Sequence, residues 1–375
     1  MIKKLYRRYR TYLIQKIEKC EIRKKLLAEY ISIIRKRPLY KHIKWGDAQQ
    51  KEFDEFWIKI YGKKISNRWH KLYESINGKY CKEYIPEILY STKIEPKLNS
   101  YESCRIYSNK GLLETLYSKV VDGVRTPKTY LLKDKNNFFD SNREKISEKQ
   151  AIRDIYNIGD AVLKPIIDSS SGQNVKMVHI HNGVDEKSGN TIEDIFKTYK
   201  NNFLFQERIV PHESLSRIYD KAINTIRFIT YLSQDGIYNS PISLRVGCGG
   251  HEIDNIHAGG MVVGMSESGV LSKKAYQLGY GDKNIVFTAH PDTNLIFENY
   301  TIPHIDKIKQ AAYKMHTRTP NIGIISWDFT INDKSEIIVI EANFWGQSVW
   351  FPQIVNESPF FGKNTEEIFK IVKQM

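Results

Sequence analysis

Two carboxylates and an amide lie close together near the end of the chain: Asp328 in Ile325-Ser-Trp-Asp328, and Glu341 with Asn343 in Ile340-Glu-Ala-Asn343. A turn around Asn332, Asp333 and Lys334 would join two strands and bring Asp328 beside Glu341. Glu341 and Asn343 are two apart, so on a strand their side chains share one face. Three oxygen donors on one sheet face suit a hard divalent cation, and magnesium takes few protein ligands together with substrate phosphates. Carboxylates that face each other inside a fold are costly unless a cation compensates them. The plainer alternative is a pair of exposed carboxylates on an ordinary hairpin, and the apolar residues around each one speak against it.

A second element lies upstream. Ala161-Val-Leu-Lys164 is a short apolar run ending in a lysine, and Asp168-Ser-Ser-Ser-Gly172-Gln-Asn-Val175 follows it. Such a lysine, with the backbone N–H groups of a small polar loop, would face phosphate oxygens. Ser-rich turns with one glycine are common, however, and most carry no ligand; the Gly-x-x-x-x-Gly-Lys-Ser/Thr pattern is absent. His179 with His181, and His251 with His257, are paired in the sequence but lack a third metal ligand. Cys248, in Gly247-Cys-Gly-Gly250, has no assignable base and reads as structural. The cysteines at 20, 81, 104 and 248 are scattered singly, as in a chain whose thiols stay reduced.

The elements that must hold these residues fall into two textures. Trp45, Phe53, Phe56, Trp57, Ile60, Tyr61, Trp69, Leu72 and Tyr73 recur at helical spacing until Pro86 and Pro96 break the pattern. From about 103 onward, short β-branched runs such as Thr129–Leu132, Ala161–Lys164, Lys176–Ile180 and Phe203–Phe205 alternate with helical stretches, which predicts an α/β architecture. After 205 the runs lengthen, at Thr225–Leu232, Ile242–Val246, Ile322–Ile331 and Glu336–Ala342, as in a mostly antiparallel sheet with one ligand-facing side.

In this order and at these distances the elements resemble the ATP-grasp ligases. Lys110, in Ser108-Asn-Lys110-Gly, and Lys164 are similar to the two nucleotide lysines of that superfamily, and Ser169–Val175, with Ser171 and Gly172, to its phosphate-covering loop. Phe205-Gln-Glu-Arg-Ile-Val210 resembles the hinge that pairs with adenine, which would place Gln206, Glu207 and Ile209 at the base. Asp328, Glu341 and Asn343 match the magnesium triad. More narrowly, Ile223-Asn-Thr-Ile-Arg-Phe228, Leu244-Arg-Val-Gly247, Ile253-Asp-Asn255, Gly259-Gly260 and His290-Pro-Asp-Thr293 resemble the sugar-transfer-associated ATP-grasp branch, over about residues 100 to 350. Two departures stand out. Gln173 occupies a loop position where many relatives carry a lysine, and Ser326 stands where dipeptide ligases carry an arginine that binds the reacting carboxyl. Arg227 and Arg245, both on apolar predicted strands, are the candidates to supply that cation, with a structural ion pair as the alternative.

The resemblance implies an ATP-grasp fold of two α/β lobes, with 101–205 the small lobe and 206–375 the large lobe with the metal site; residues 1–100, which it does not cover, are expected from their apolar spacing to form a basic, mainly helical region. It implies ATP and Mg2+ as cofactors and ligation of a carboxylate to an amine through an acylphosphate, with Arg245, Arg227 and Asn255 offsetting charge at the reacting centre. The branch name points to amide formation between an amino acid and a sugar acid of a capsule or O-antigen precursor, free or lipid-linked. The alternatives are a nucleotide-binding scaffold for glycosyltransferases and an ATP-grasp phosphotransferase.

Composition bounds these readings. The 375 residues are 41% hydrophobic and 27% charged, and no apolar run is long enough to cross a bilayer. The basic start has no apolar segment or cleavage site of a secretory signal, so a soluble cytoplasmic protein is expected, peripheral to the membrane at most. Of the net charge of +14, residues 1–44 hold +12, from 15 Lys or Arg against Glu18, Glu21 and Glu29. Leu5, Tyr9, Leu13 and Ile17, then Ile22, Leu26, Leu27, Tyr30, Ile31 and Ile34, form an apolar stripe, so this segment reads as an amphipathic helix ending near Pro38. It would pack on the rest of the protein, lie on an anionic membrane surface, or bind nucleic acid; no nucleic-acid motif accompanies it, and none is expected as a partner.

Overall fold

The fold is taken from a computed structural model that describes residues 2–167, 174–199, 202–256, 259–277 and 285–374; among residues 1–18 only the side chains of Tyr12 and Lys16 are described. Eight α-helices open the described chain, α1 (Ile2–Arg35), α2 (Arg37–Tyr40), α3 (Asp47–Tyr61), α4 (Arg68–Asn77), α5 (Glu87–Leu89), α6 (Glu95–Leu98), α7 (Tyr101–Tyr107) and α8 (Leu113–Tyr117), with a π-helical turn at Tyr90–Ile94 and a 3-10 turn at Lys110–Leu112. The sequence places the end of the first helix near Pro38. In the structure α1 stops at Arg35, and Pro38 lies in the first turn of α2, where its missing N–H costs nothing.

Strand β1 (Val124–Arg125) precedes a seven-stranded sheet made of β2 (Thr129–Asp134), β3 (Asn137–Phe139), β4 (Lys145–Ile146), β5 (Gly159–Pro165), β6 (Lys176–His181), β7 (Val184–Asp185) and β8 (Phe203–Glu207). Its order is β4-β3-β2-β8-β5-β6-β7, and α9 (Glu148–Asp154) and α10 (Ile192–Tyr199) pack Ala151, Ile155, Ile192 and Phe196 onto it. After α11 (Glu213–Ser216) come β9 (Ile226–Ser233), β10 (Gly236–Asn239), β11 (Ile242–Val246), β12 (Met261–Met265), β13 (Leu271–Gln277) and β14 (Ile285–Phe287). Then follow α12 (Ile305–His316), β15 (Ile324–Ile331), β16 (Ile337–Asn343), α13 (Trp350–Asn356) and α14 (Thr365–Gln374). These strands form a nine-stranded sheet in the order β1-β16-β15-β9-β11-β12-β13-β14, with β10 on β9; β1 runs parallel to β16 and the other pairs are antiparallel. The mixed α/β architecture and the long antiparallel strands agree with the sequence reading. The strands at β12–β14 were not foreseen.

The two faces of the large sheet have different fates. Ile226 and Phe228 of β9, with Ile325, Trp327 and Phe329 of β15, turn into the main core, where Trp327 meets Tyr117 edge-on at 5.0 Å and donates its indole N–H to Thr230 at 2.9 Å. On the opposite face, Ile229, Tyr231 and Ile324 are covered by Phe53 and Trp57 of α3, Tyr90, Ile94 and Phe369 of α14. The helical N-terminal region is thus a lid over part of the face that also carries the polar residues. Asn99 locks this arrangement: its amide donates to the carbonyls of Ile324 (2.8 Å) and Phe344 (2.6 Å) and accepts from the amides of Gly323 and Ile324 (both 2.9 Å). All four hydrogen bonds of a fully buried amide are satisfied, at the mouth of the strand pair that bears the carboxylates.

Of the three roles the sequence leaves open for the amphipathic helix, packing of the apolar stripe on the protein finds little support among the described side chains: Ile33 is buried, but Leu26, Leu27, Tyr30, Ile31 and Ile34 are exposed. The inward face is held by charge instead. Lys25 donates to buried Glu95 at 2.9 Å and lies 4.0 Å over the Trp345 ring, and Glu95 in turn accepts the Gln347 amide at 3.1 Å. Such a charged pair holds only where both partners are well placed, and periodicity of apolar residues alone does not reveal it.

Candidate active site

Cross-strand pairing assembles the polar face. Asp328 on β15 sits opposite Arg227 on β9 and Glu341 on β16, while Ser326 sits opposite Asn343. Opposed residues project on one side of a sheet, so these five side chains emerge together, and a bulge between Asp328 and Phe329 twists the ladder at the acid. Arg245 on β11 is two residues from Ser243, the register partner of Arg227, and joins the same face.

The groups interlock. Arg227 Nε lies 2.6 Å from Asp328 Oδ1, an ionic contact off the line of a hydrogen bond. Its Nη2 donates to Asp328 Oδ2 at 3.1 Å and its Nη1 to Ser326 Oγ at 3.0 Å. Arg245 bridges two acids, with Nη1 to Asp328 Oδ2 at 3.4 Å and Nη2 to Asp254 Oδ1 at 3.3 Å. Asp254 is fixed in turn by the Thr225 amide at 2.8 Å and the Thr225 hydroxyl at 2.5 Å. Glu341 Oε1 takes Lys110 Nζ at 3.0 Å. Asn343 Nδ2 lies 3.4 Å from Asp328 Oδ2; half a turn of this amide would present its oxygen there.

Burial sets the electrostatics. It pushes the Asp328 carboxyl above its ordinary value, against the pull of Arg227 and Arg245, and Glu341 and Asp254 add to the rise. Burial also raises Glu341, but Lys110 foremost, then Lys164 and Arg227, bring it below the usual carboxylate range. Lys164, at the end of β5, is lowered to about 8 by burial, partly offset by Glu341 and reinforced by Lys110. Two sheets thus present a buried ammonium, two guanidiniums and two carboxylates to one another, which is the arrangement expected of a site rather than of a core.

They enclose a cavity of ≈ 480 Å³ whose walls include Lys110, Lys164, Arg245, Asn255, Asp328 and Glu341. Gln206, Glu207 and Ile209 also line it, together with apolar Val162, Met177 and Ile340. Gln206 donates to Thr129 Oγ1 at 3.3 Å. The Glu207 carboxylate is already held, by Arg125 at 2.6 and 3.0 Å and by the Lys128 amide at 3.0 Å. Arg227 and Asn343 stand behind the wall and reach the cavity through Asp328. Ser171, Gly172 and Gln173 lie outside the described residues, as does His257.

The remaining candidates are accounted for locally. His179 pairs with Asp160 at 3.0 Å, and Cys248 donates to the Gly259 carbonyl at 2.8 Å, with burial and Asp292 pushing its thiol up. His290 stacks on Tyr219 and bonds the Gly247 carbonyl at 2.9 Å, shaping the turn rather than lining the cavity. None of the four cysteines is in a disulfide. Among the described residues, no group of three His, Cys, Asp or Glu side chains is placed to hold a metal ion, and no helix is long and apolar enough to cross a membrane. Sequence reasoning passed over Asp254 as a functional residue, although Ile253-Asp-Asn255 had been singled out; its role depends on a loop packed against β9. It also missed Asp160 and Arg208, a cavity-wall pair at 3.4 Å.

Residues 89–368 match the family of sugar-transfer associated ATP-grasp proteins. No curated protein sequence matches the chain. Among solved structures, D-alanyl-alanine synthetase A from Vibrio cholerae is similar at 13% identity and a TM-score of 0.44, over 74% of this chain and 67% of that one. The VanG D-Ala:D-Ser ligase from Enterococcus faecalis is similar at 14% identity and 0.40, over 72% and 63%. An L-amino acid ligase from Bacillus licheniformis is similar at 12% identity and 0.36, over 68% of this chain; the match spans 43% of the ligase.

Proposed function

Since the chain belongs to the sugar-transfer associated ATP-grasp family, we propose that it is an ATP-dependent ligase that joins a carboxylate to an amine through an acylphosphate. The observation that carries this reading is the convergence of Lys164, Arg245, Asp328 and Glu341 from two sheets, and of Lys110 from the 3-10 turn before α8, on one cavity. Its volume of ≈ 480 Å³ falls within the range of small-molecule sites, and its apolar walls suit a purine. In this reading residues 101–205 are the small lobe, 206–375 the large lobe, and 1–100 a helical region packed on the latter.

The donor set fits a magnesium ion. Asp328 and Glu341 present carboxylate oxygens on one face, the Asn343 amide would add its oxygen on turning, and the rise of the Asp328 carboxyl through burial supports a site that further positive charge would stabilise. A metal ion held there would neutralise phosphate oxygens. Lys164 and Lys110 bind the α- and β-phosphates; the covering role that the resemblance implies for Ser171 and Gly172 falls outside the described residues. The hinge at Gln206, Glu207 and Ile209 borders the adenine; because Arg125 holds the Glu207 carboxylate, the hinge acts through its backbone and the Ile209 side chain.

In the first step a substrate carboxylate oxygen attacks the γ-phosphorus of ATP, the bond to the β-bridging oxygen breaks, and ADP leaves. In the second an amine nitrogen attacks the acyl carbon, inorganic phosphate leaves, and the amine gives up a proton. Positioning and charge neutralisation dominate such steps, and no protein nucleophile is needed. Arg245, Arg227 and Asn255 offset charge at the reacting centre. Arg245, which lines the cavity, and Arg227, which binds Ser326 Oγ and Asp328 on the neighbouring strand, supply the charge of the missing arginine at 326.

The substrates are an amino acid and a sugar acid of a surface polysaccharide such as capsule or O-antigen, free or lipid-linked. Incubation with ATP, Mg2+ and pools of uronic acids and amines, followed by mass spectrometry, tests this. A condensed product with stoichiometric ADP supports it. A phosphorylated product would indicate a phosphotransferase, and the absence of ADP release from every pool would favour a nucleotide-binding scaffold.

A further inference from the structure

The outward face of α1 has no counterpart in the ligase reading, and the inference drawn from it does not rest on that reading. At 100° per residue, Tyr12, Lys16, Cys20, Arg23, Lys24, Leu27, Tyr30, Ile31 and Ile34 fall within one third of the helix circumference. Leu27 is 60% exposed, Tyr30 50%, Ile34 46% and Ile31 38%, with Leu26 on the flank at 45%. Lys25, Glu29, Ser32, Ile33 and Lys36 occupy the other side and are partly or wholly buried. The helix is therefore already fixed to the body, by Lys25 on Glu95 and Trp345 and by Lys36 near Trp350, and its apolar outer stripe is displayed.

We propose that this outer face docks on an anionic lipid surface, with Leu27, Tyr30, Ile31 and Ile34 entering the headgroup boundary and the flanking cations meeting lipid phosphates. Four observations select that occupant. Residues 1–44 carry +12 of the +14 net charge, so a second copy pairing through this face would bring two such segments together. The acidic groups of α1 whose side chains are described avoid the face: Glu29 turns inward, and Glu21 is bound to Lys24 at 2.8 Å on the flank. A contiguous aliphatic stripe has no partner in a nucleic-acid backbone, whereas an interfacial helix needs an apolar face bordered by Lys and Arg. The cations on or beside the stripe, Lys16, Lys19, Arg23, Lys24 and Arg35, are all exposed or on its border, where each charge adds to attraction by acidic lipid.

The test is flotation of the full-length protein with vesicles of phosphatidylcholine alone or with 30% phosphatidylserine, in about 0.1 M salt. The expected result is binding to the acidic vesicles only, weakened by raising the salt. Neutralising two exposed cations, Lys19→Gln with Arg23→Gln, should weaken partition roughly 25-fold, about fivefold per charge. Ile31→Gln with Ile34→Gln should abolish it. Unchanged melting temperatures in both variants would show that the body is intact and assign the losses to the face. Equal binding to neutral vesicles, no binding to acidic ones, or a dimer in solution that the Ile31→Gln, Ile34→Gln variant dissolves would overturn the proposal. The last of these would assign the stripe to a second copy.

Discussion

Replacing Lys164 with methionine should make the protein more stable and less able to bind ATP. Burial lowers the Lys164 ammonium from 10.5 to about 8, so at pH 7 the folded state carries a charge it holds less readily than the unfolded chain does. At about 1.4 kcal/mol per pH unit, that difference corresponds to ~3 kcal/mol against folding. The sign follows from proton binding. Below pH 8 both states keep the proton and the folded state bears the whole cost; between 8 and 10.5 the folded state releases it while the unfolded chain does not, so stability rises with pH there. Lys164→Met removes the charge and keeps the volume of the side chain, and should raise stability at pH 7 by up to about 3 kcal/mol, a few degrees in melting temperature. The gain should shrink at pH 10, where wild-type Lys164 is already neutral. In the same samples ATP affinity should fall about 10- to 100-fold, the loss expected for one charged hydrogen bond to phosphate. A variant less stable than wild type at pH 7, or one that binds ATP as tightly, would refute the reasoning.

Three further outcomes follow from the same geometry. ATP affinity in the wild type should decline as pH rises through about 8, by up to about tenfold per unit, because phosphate favours the protonated Lys164; calorimetry at pH 7 and 9 checks this, with Lys164→Met giving a flat profile. Burial raises the Asp328 carboxyl, so its charge is itself held at a cost, but Asp328→Asn also leaves Arg227 and Arg245 buried without their shared anion. The net loss in urea unfolding should fall below the about 3 to 5 kcal/mol of a broken buried pair yet exceed that of Glu341→Gln, whose partner Lys110 lies where Glu341 is 32% exposed. Gly260→Ala would put a methyl 2.6 Å from the Asp254 carbonyl and push away the loop that holds Arg245; it should destabilise by about 1 to 3 kcal/mol and lower ATP turnover, measured by melting temperature and ADP release.

The parts of the site legible in the sequence are those that local pairing dictates. Asp328 and Glu341 lie on one hairpin, so their meeting follows from a turn and a period of two, and two arginines in apolar strands had to find acids. What escaped depends on long-range packing. Asn99 acts on Ile324, 225 positions away, and nothing near it announces that role. Asp254 gains its meaning only when its loop reaches Thr225. The apolar stripe of α1 was visible, but periodicity does not say which face meets the protein. Lys25 and Glu95, a pair set by the fold of the whole N-terminal region, decided that. Strand β13 was hidden because Lys273 and Lys274 interrupt the alternation that marks a half-buried strand.

The most direct test of the central claim is a calorimetric titration of ATP, with and without Mg2+, into the wild type and Glu341→Gln at pH 7. Mg2+ should tighten ATP binding in the wild type and have no such effect in Glu341→Gln. A wild type that binds no ATP under either condition, or a Glu341→Gln variant with the full Mg2+ effect, would contradict it.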